Sequence, residues 1–189
     1  MKLRHLLLLF ISFFFVLPLY AEYFKHIGLS EGLTQPSVMA IYQDRLGRMW
    51  FGTKEGISQY DGNRVRIFKG WIKSVGEEPP VWLGNEVSFI VGDSLDNLYF
   101  LIDKNLIKYD IQTEKFSRLT NESIITALTS SEGQVWYMKH DSLFCLKADK
   151  EPTFVLKTNI TSRICCLTMM DDQIGIGTYN GVYLIDRRT

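Results

Sequence analysis

Apolar and polar residues alternate in short runs along most of this chain, and the runs come in groups of four. In the first group the alternation predicts strands at Val38–Gln43, Arg48–Thr53, Ile57–Tyr60 and Val65–Phe68. Asp44–Gly47, Lys54–Gly56 and Asp61-Gly62-Asn63 separate them. Asp-Gly between alternating runs is a strong hairpin signal, because its turn needs φ > 0 at both central positions. Apolar pairs three residues apart open the later groups: Val87 and Ile90, Ile125 and Leu128, Ile164 and Leu167. No segment shows a 3.6-residue apolar period with caps at both ends, so helix is not expected.

The groups share an inner pattern. A turn residue (Gly47, Asp96, Gly133, Asp172) stands three residues before a central position of strand two (Trp50, Tyr99, Trp136, Gly175). A second turn residue (Gly56, Asn105, Ser142, Gly181) follows six residues later. The joins between groups vary in length. Rigid units with variable joins are the mark of repeated supersecondary structure, and four strands in about 40 residues is the arithmetic of a β-propeller blade. A β-sandwich ranks well below, since it does not demand near-identical four-strand units. The expected fold is therefore all-β: a propeller of about four four-stranded blades, at residues 37–69, 85–118, 124–156 and 163–189. The last stops before a fourth strand, so the ring is not expected to close within this chain. The strand-two aromatics Trp50, Tyr99 and Trp136 are expected to pack between blades. One further strand is expected at Tyr23–Ile27, before a polar turn region at Gly28–Pro36.

The amino terminus reads differently. Lys2 and Arg4 precede an apolar run from Leu6 to Leu17, Pro18 breaks it, and Leu19-Tyr20-Ala21 offers a cleavage site. The run is short of the roughly 20 residues that a membrane span needs, so residues 1–21 are expected to be a signal peptide and 22–189 the exported domain. The chain has 21 basic and 21 acidic residues, with no basic run, which argues against nucleic-acid binding. Three cysteines, Cys145, Cys165 and Cys166, form no disulfide framework and have no ligand partner at metal spacing; all are expected as small apolar strand residues.

A search for catalysis finds no HExxH, GxSxG or EF-hand pattern, and neither cofactor nor metal is expected. Gly175-Ile176-Gly177 is explained by the repeat as strand two. The scattered acids Asp96, Asp103, Asp110, Asp171, Asp172 and Asp186 fall at turns, and nothing shows that two converge as glycosidase chemistry requires. Asn121 and Asn159 begin glycosylation sequons that read as polar turns. The least ordinary segment is the long join Gly70–Gly84, with Trp71, Lys73 and Trp82. In a propeller this join opens on the same ring face as the turns between strands two and three. That face is expected to collect Lys54, Lys104, Lys139, His140 and Tyr179, with Glu55, Asp103 and Asp141 among them. Aromatics beside charged groups suit sugar or polyanion recognition. The competing reading is that Trp71 and Trp82 simply cover a blade edge.

Several stretches of the chain resemble the two-component regulator propeller repeat. The matching residues are Gly28-Leu29-Ser30-Glu31-Gly32-Leu33, Ser37-Val38, Ile41-Tyr42-Gln43-Asp44, Gly47-Arg48-Met49-Trp50-Phe51-Gly52-Thr53, Glu55-Gly56-Ile57 and Tyr60-Asp61-Gly62. Later copies decay: Leu98-Tyr99-Phe100-Leu101 and Val135-Trp136-Tyr137-Met138 stand where Trp-Phe-Gly-Thr is the pattern, and the fourth keeps Gly177-Thr178. The resemblance implies the amino-terminal piece of a periplasmic sensor region, of the kind found in hybrid two-component histidine kinases of Bacteroidetes. It implies a glycan-fragment ligand, a parent anchored in the inner membrane, partners in the remaining blades and downstream kinase domains, and a homodimer formed through those regions. Two other classes stay open: a secreted propeller lyase or hydrolase acting on polysaccharide, and a non-catalytic interaction scaffold.

Overall fold

The computed structural model describes residues 24–72, 81–120, 125–147 and 150–186. The expected signal peptide at 1–21, Asn121 and Lys73 lie outside them. The described residues form strands and turns with no helix. Blade 1 is β1 (Val38–Gln43), β2 (Met49–Thr53), β3 (Gly56–Tyr60) and β4 (Val65–Phe68). A two-stranded hairpin follows, β5 (Trp71–Ile72) with β6 (Val81–Trp82). Blade 2 is β7 (Val87–Gly92), β8 (Asn97–Ile102), β9 (Asn105–Asp110) and β10 (Lys115–Arg118). Blade 3 is β11 (Ile125–Ser131), β12 (Gln134–Lys139), β13 (Ser142–Lys147) and β14 (Thr153–Lys157). Among the described residues blade 4 has three strands, β15 (Ile164–Met169), β16 (Gln173–Thr178) and β17 (Gly181–Asp186).

Every blade is an antiparallel meander in sequence order. The first strands are the inner ones: β1 packs on β7, β7 on β11, and β11 on β15. The result is a four-blade propeller whose ring is not closed. Its core lies between blades, as the strand-two aromatics require. Trp50 of blade 1 is fully buried with Phe68 against Phe100, Tyr109 and Phe116 of blade 2. Tyr99 and Leu101 of blade 2 meet Val135 and Tyr137 of blade 3. Trp136 and Met138 of blade 3 meet Ile164, Ile174 and Ile176 of blade 4. Apolar side chains stay exposed where no further blade packs: Met39, Ile41 and Ile67 on blade 1, Val182 and Leu184 on blade 4.

The two turns of the sequence pattern are each held by a polar side chain that precedes the turn residue. In blade 1, buried Asp44 accepts from the backbone N–H groups of Leu46 and Arg48, from Arg48 Nε at 2.7 Å and from Trp50 Nε1 at 2.8 Å. Blade 2 repeats this with Asp93, which accepts from Leu95 and Asn97 N–H, Asn97 Nδ2 and the Tyr99 hydroxyl at 3.0 Å. One carboxylate thus shapes the first turn and satisfies the polar end of a buried aromatic. At the second turn the Thr of Gly-Thr does similar work. Thr53 Oγ1 accepts from Glu55 N–H and donates to the Gly56 carbonyl, and Thr178 does the same with Asn180 and Gly181.

Two expectations are corrected, and the long join gains a structure. Residues 24–27 form no strand. Alternation needs a partner strand to become a ladder, and among the described residues no strand pairs with this stretch. Instead the leader crosses the outer face of blade 1: Leu33 is buried, Thr34 N–H donates to Ser58 Oγ at 3.1 Å, and the Thr34 and Thr53 hydroxyls are 2.7 Å apart. The long join contains the β5–β6 hairpin. Of the cysteines only Cys145 is buried; Cys165 and Cys166 are exposed. Both lie on the last blade, Cys165 at a break in strand register and Cys166 over Gly177.

Candidate functional site

Backbone hydrogen bonds tie the turns between second and third strands to the joins between blades. Gly56 N–H donates to the Asn85 carbonyl at 2.8 Å, Asp103 to Glu86 at 2.9 Å, and Ile125 to Lys104 at 3.1 Å. Thr158 N–H donates to Asp141, and Tyr179 N–H to Arg163 at 3.2 Å. Joins and turns therefore share one ring face. The turns are all two-residue: Lys54-Glu55, Asp103-Lys104, His140-Asp141 and Tyr179-Asn180. Asp103, Lys104 and His140 sit at φ of 47°, 63° and 55°, as tight hairpins require.

Among the described residues, hollows open at two places on this face. One is lined by Lys54, Glu55, Lys69, Gly70 and Asn85, at the foot of the β5–β6 hairpin. The hairpin carries Trp71 and Trp82, paired across it with ring centroids 5.4 Å apart. Both rings are accessible, with Trp71 66% and Trp82 39% exposed, and the Trp82 carbonyl accepts from Arg118 of blade 2 at 2.6 Å. The other hollow lies on the inner side of blades 2 to 4 and takes in Lys104, Asp103, Arg163 and Tyr179. The Arg163 guanidinium lies 5.4 Å over the Tyr179 ring.

The expected site residues therefore divide. Lys54 and the Trp pair gather at the blade 1–2 join, while Lys104 and Tyr179 share the inner hollow. Lys139 and His140 border neither; Lys139 is half-buried and His140 exposed at the blade 3 turn. Asp141 is tied up locally, 3.3 Å from Lys157 Nζ. Arg163 and Glu86 were not among the expected residues. Both lie in joins, immediately before or near the apolar pair that opens a blade, and that position was their only signal. Among the described residues no group of three or more His, Cys, Asp or Glu could hold a metal ion.

Comparison with known proteins sharpens the picture. Residues 32–55 match the family described as "Two component regulator propeller". A protein named "Histidine kinase P4" from Formosa agariphila is 39% identical over 46 residues, which are 24% of this chain and 3% of that protein. The extracellular domain of a protein described as a hybrid two component system, BT3049 from B. thetaiotaomicron, superposes with a TM-score of 0.71 at 21% identity, covering 87% of this chain and 25% of that one. Streptogramin B lyase superposes with a TM-score of 0.55 at 18% identity, over 82% of this chain and 56% of its own. At such identities the structural likenesses speak to the fold alone, and a lyase and the extracellular domain of a two component system share it. The chain spans only a small part of the length of the histidine kinase and of the extracellular domain.

Proposed function

Because this chain carries a two-component regulator propeller repeat, we propose that it is the extracytoplasmic, ligand-sensing propeller portion of a two-component sensor histidine kinase. The observation that carries the reading is the repeat match at residues 32–55, which spans the leader, β1 and β2 of blade 1. In this reading residues 1–21 direct export, the domain sits in the periplasm, and its parent is anchored in the inner membrane. Further blades cover the apolar faces left on blades 1 and 4, and downstream domains carry the kinase and the dimer contacts. The propeller itself does no chemistry.

The ligand proposed is a glycan fragment on the ring face that carries both hollows. The exposed Trp71–Trp82 pair beside Lys54 supports this, since aromatic faces stack on sugar rings while the polar groups around them take hydroxyls. The test is a glycan panel titrated calorimetrically against the whole extracytoplasmic region. One glycan should bind, and Trp71→Ala and Trp82→Ala should each weaken it several-fold to about tenfold. A panel with no binder, or a binder indifferent to both substitutions, would remove the Trp pair from the site.

A further inference from the structure

The inner hollow, about 920 Å³, is built on a backbone irregularity that recurs in every blade. Each inner strand slips register by one residue after its first paired position. The slips fall between Val38 and Ala40, Val87 and Phe89, Ile125 and Ala127, and Ile164 and Cys166. The skipped residues are Met39, Ser88, Thr126 and Cys165. A bulge re-aims one side chain out of the pleat, and proteins place bulges next to functional sites. In blades 2 to 4 all three skipped residues line the hollow. All three are small and can hydrogen-bond. Ser88 Oγ donates to the Leu101 carbonyl at 3.3 Å and Cys165 Sγ to the Arg163 carbonyl at 3.6 Å. Thr126 Oγ1 is buried with no hydrogen-bond partner among the described residues. A buried hydroxyl left unmatched beside a cavity asks for a group to fill it.

The charges on the rim balance in number but differ in how far each is already engaged. Four ionisable groups of opposite sign face the hollow: Glu86, Asp103, Lys104 and Arg163. The Asp103 carboxylate is already engaged, accepting from Asn85 N–H at 2.9 Å and Glu86 N–H at 3.0 Å. Lys104 and Arg163 make no ion pair among the described residues; Arg163 instead covers the Tyr179 ring. Two uncommitted cations thus stand against one uncommitted carboxylate, Glu86. Apolar walls come from Phe89, Leu101 and Ile164.

We propose that this hollow binds a small hydroxylated carboxylate of the uronic acid type. Its carboxylate meets the Arg163 guanidinium in a forked pair, with Lys104 as a second charge. Its hydroxyls satisfy Thr126 Oγ1 and reach Glu86, and the apolar edge of its ring lies toward Tyr179 and Phe89. The proposal rests on the sensing reading and specifies the ligand's acidic unit and where it is held.

Cys165 provides a probe inside the site. Cys145 is buried, so a Cys166→Ser chain presents Cys165 as the reactive thiol. The rate of its alkylation by iodoacetamide is followed on the dilute full chain with D-glucuronate, D-galacturonate, D-glucose or D-glucosamine added. A uronate should slow labelling in a saturable way, and neutral glucose and cationic glucosamine at the same concentration should not. Arg163→Gln should raise the half-protective uronate concentration about tenfold or more, the loss of a charge-assisted pair. Thr126→Val, which keeps the shape, should raise it several-fold. Circular dichroism checks that both variants keep their sheet. No protection by either uronate, equal protection by glucose, or protection unchanged in Arg163→Gln overturns the proposal. Failure here is distinct from failure of the sensing reading. If a glycan binds through Trp71 and Trp82 while Cys165 labels freely, sensing stands and this site falls.

Discussion

Two interfaces with the same topology are packed with different chemistry. Between blades 1 and 2 the core is a web of rings. Trp50 stacks on Phe68 at 5.8 Å and tilts against Tyr109 at 5.1 Å, and Tyr109 meets Phe116 at 4.6 Å. Asp44 holds the far end of the Trp50 indole. Between blades 3 and 4 the buried cluster of described residues joins Trp136 to mostly aliphatic side chains, among them Met138, Leu143, Ile164, Leu167, Ile174 and Ile176. Blade 4 goes further and has Gly175 and Gly177 on its second strand. Strand order, bulge position and two-residue turns nevertheless persist across all four sheets. The aromatic of the repeat is thus a packing solution of particular interfaces. The meander does not depend on it.

The sharpest way to break this contrast is to remove the ring at its centre. Trp50→Ala should cost near the top of the ~3–5 kcal/mol typical of buried Trp truncation, because Phe68, Phe100 and Tyr109 all lose a neighbour. Trp136→Ala should fall near the bottom of that range, since flexible Met138 and Leu143 can close part of the cavity. Urea midpoints read both. An equal or larger loss for Trp136→Ala would mean that the rings of the first interface contribute no more than aliphatic packing.

Next in size comes the anchor. Asp44→Asn should cost about 2–3 kcal/mol, the scale of charged hydrogen bonds lost around Arg48 and Trp50. The effect should depend on pH. Burial of Asp44 opposes ionisation, but hydrogen bonds from Trp50 and Arg48 and the Arg48 charge outweigh it and hold the carboxyl below its ordinary value of 3.8. A carboxyl depressed in the folded state contributes fully above its unfolded value and loses that contribution as the pH falls through the folded one. The gap between wild type and Asp44→Asn should therefore be constant near neutrality and narrow below about pH 4. A gap that does not narrow in acid would show that Asp44 acts by shape alone.

Asp44 also marks where sequence reading stops. Twelve expected strands of blades 1 to 3 would need only alternation and turn chemistry to be seen; in blade 1 those at Val38–Gln43 and Val65–Phe68 stand as anticipated, while the second and third start one residue away, at Met49 and Gly56. The strand-two aromatics were legible as core because a repeat needs one packing residue per interface. Asp44 and Asp93 are legible in principle, each six residues before its aromatic, but turn chemistry alone places Asp44 only in a turn and does not single out Asp93. The bulges were not legible. Met39, Ser88, Thr126 and Cys165 share no residue type, since a bulge is a fact of pairing between strands. The inner hollow depends on those bulges and on Arg163, so it stayed hidden while the ring face did not. The leader misled in the opposite way: Phe24 to Ile27 alternates like a strand, but among the described residues no strand pairs with it.

A smaller effect separates the glycines of the two ends. A Cβ on Gly52 would meet Val87 Cγ1 at 2.7 Å and the Val87 carbonyl at 3.0 Å. Val87 is fully buried on the inner strand of blade 2, and its backbone cannot yield. Gly52→Ala should cost about 1–3 kcal/mol by overpacking. A Cβ on Gly177 would meet the Cys166 thiol at 2.4 Å, the far end of an exposed side chain that can rotate away. Gly177→Ala should fall within about ±0.5 kcal/mol of wild type in the same urea titration. If both cost alike, the outer face of blade 4 is as tightly constrained as a blade interface.

The smallest expected effect tests whether charge adds to the first interface. Arg66 of blade 1 reaches Glu114 of blade 2 at 2.8 Å, and its guanidinium also lies 4.7 Å over the Phe68 ring. Arg45 similarly meets Asp96 at 3.1 Å. Both pairs bridge blades 1 and 2, so they look like reinforcement of the aromatic core. Their exposure argues otherwise. Arg66 and Glu114 are 54% and 50% exposed, and such pairs contribute about 0.2–1 kcal/mol before salt screens them. Glu114→Gln should therefore shift the urea midpoint only slightly at low salt and not at all at about 1 M, where the screening length is about 3 Å. Arg66→Ala should cost more than Glu114→Gln, because it also removes the cover over Phe68, and that excess should survive in high salt. A double-mutant cycle isolates the pair. A coupling that persists in high salt would move part of the interface's stability from the rings to the ion pair, and the contrast between the two interfaces would be one of charge as well as packing.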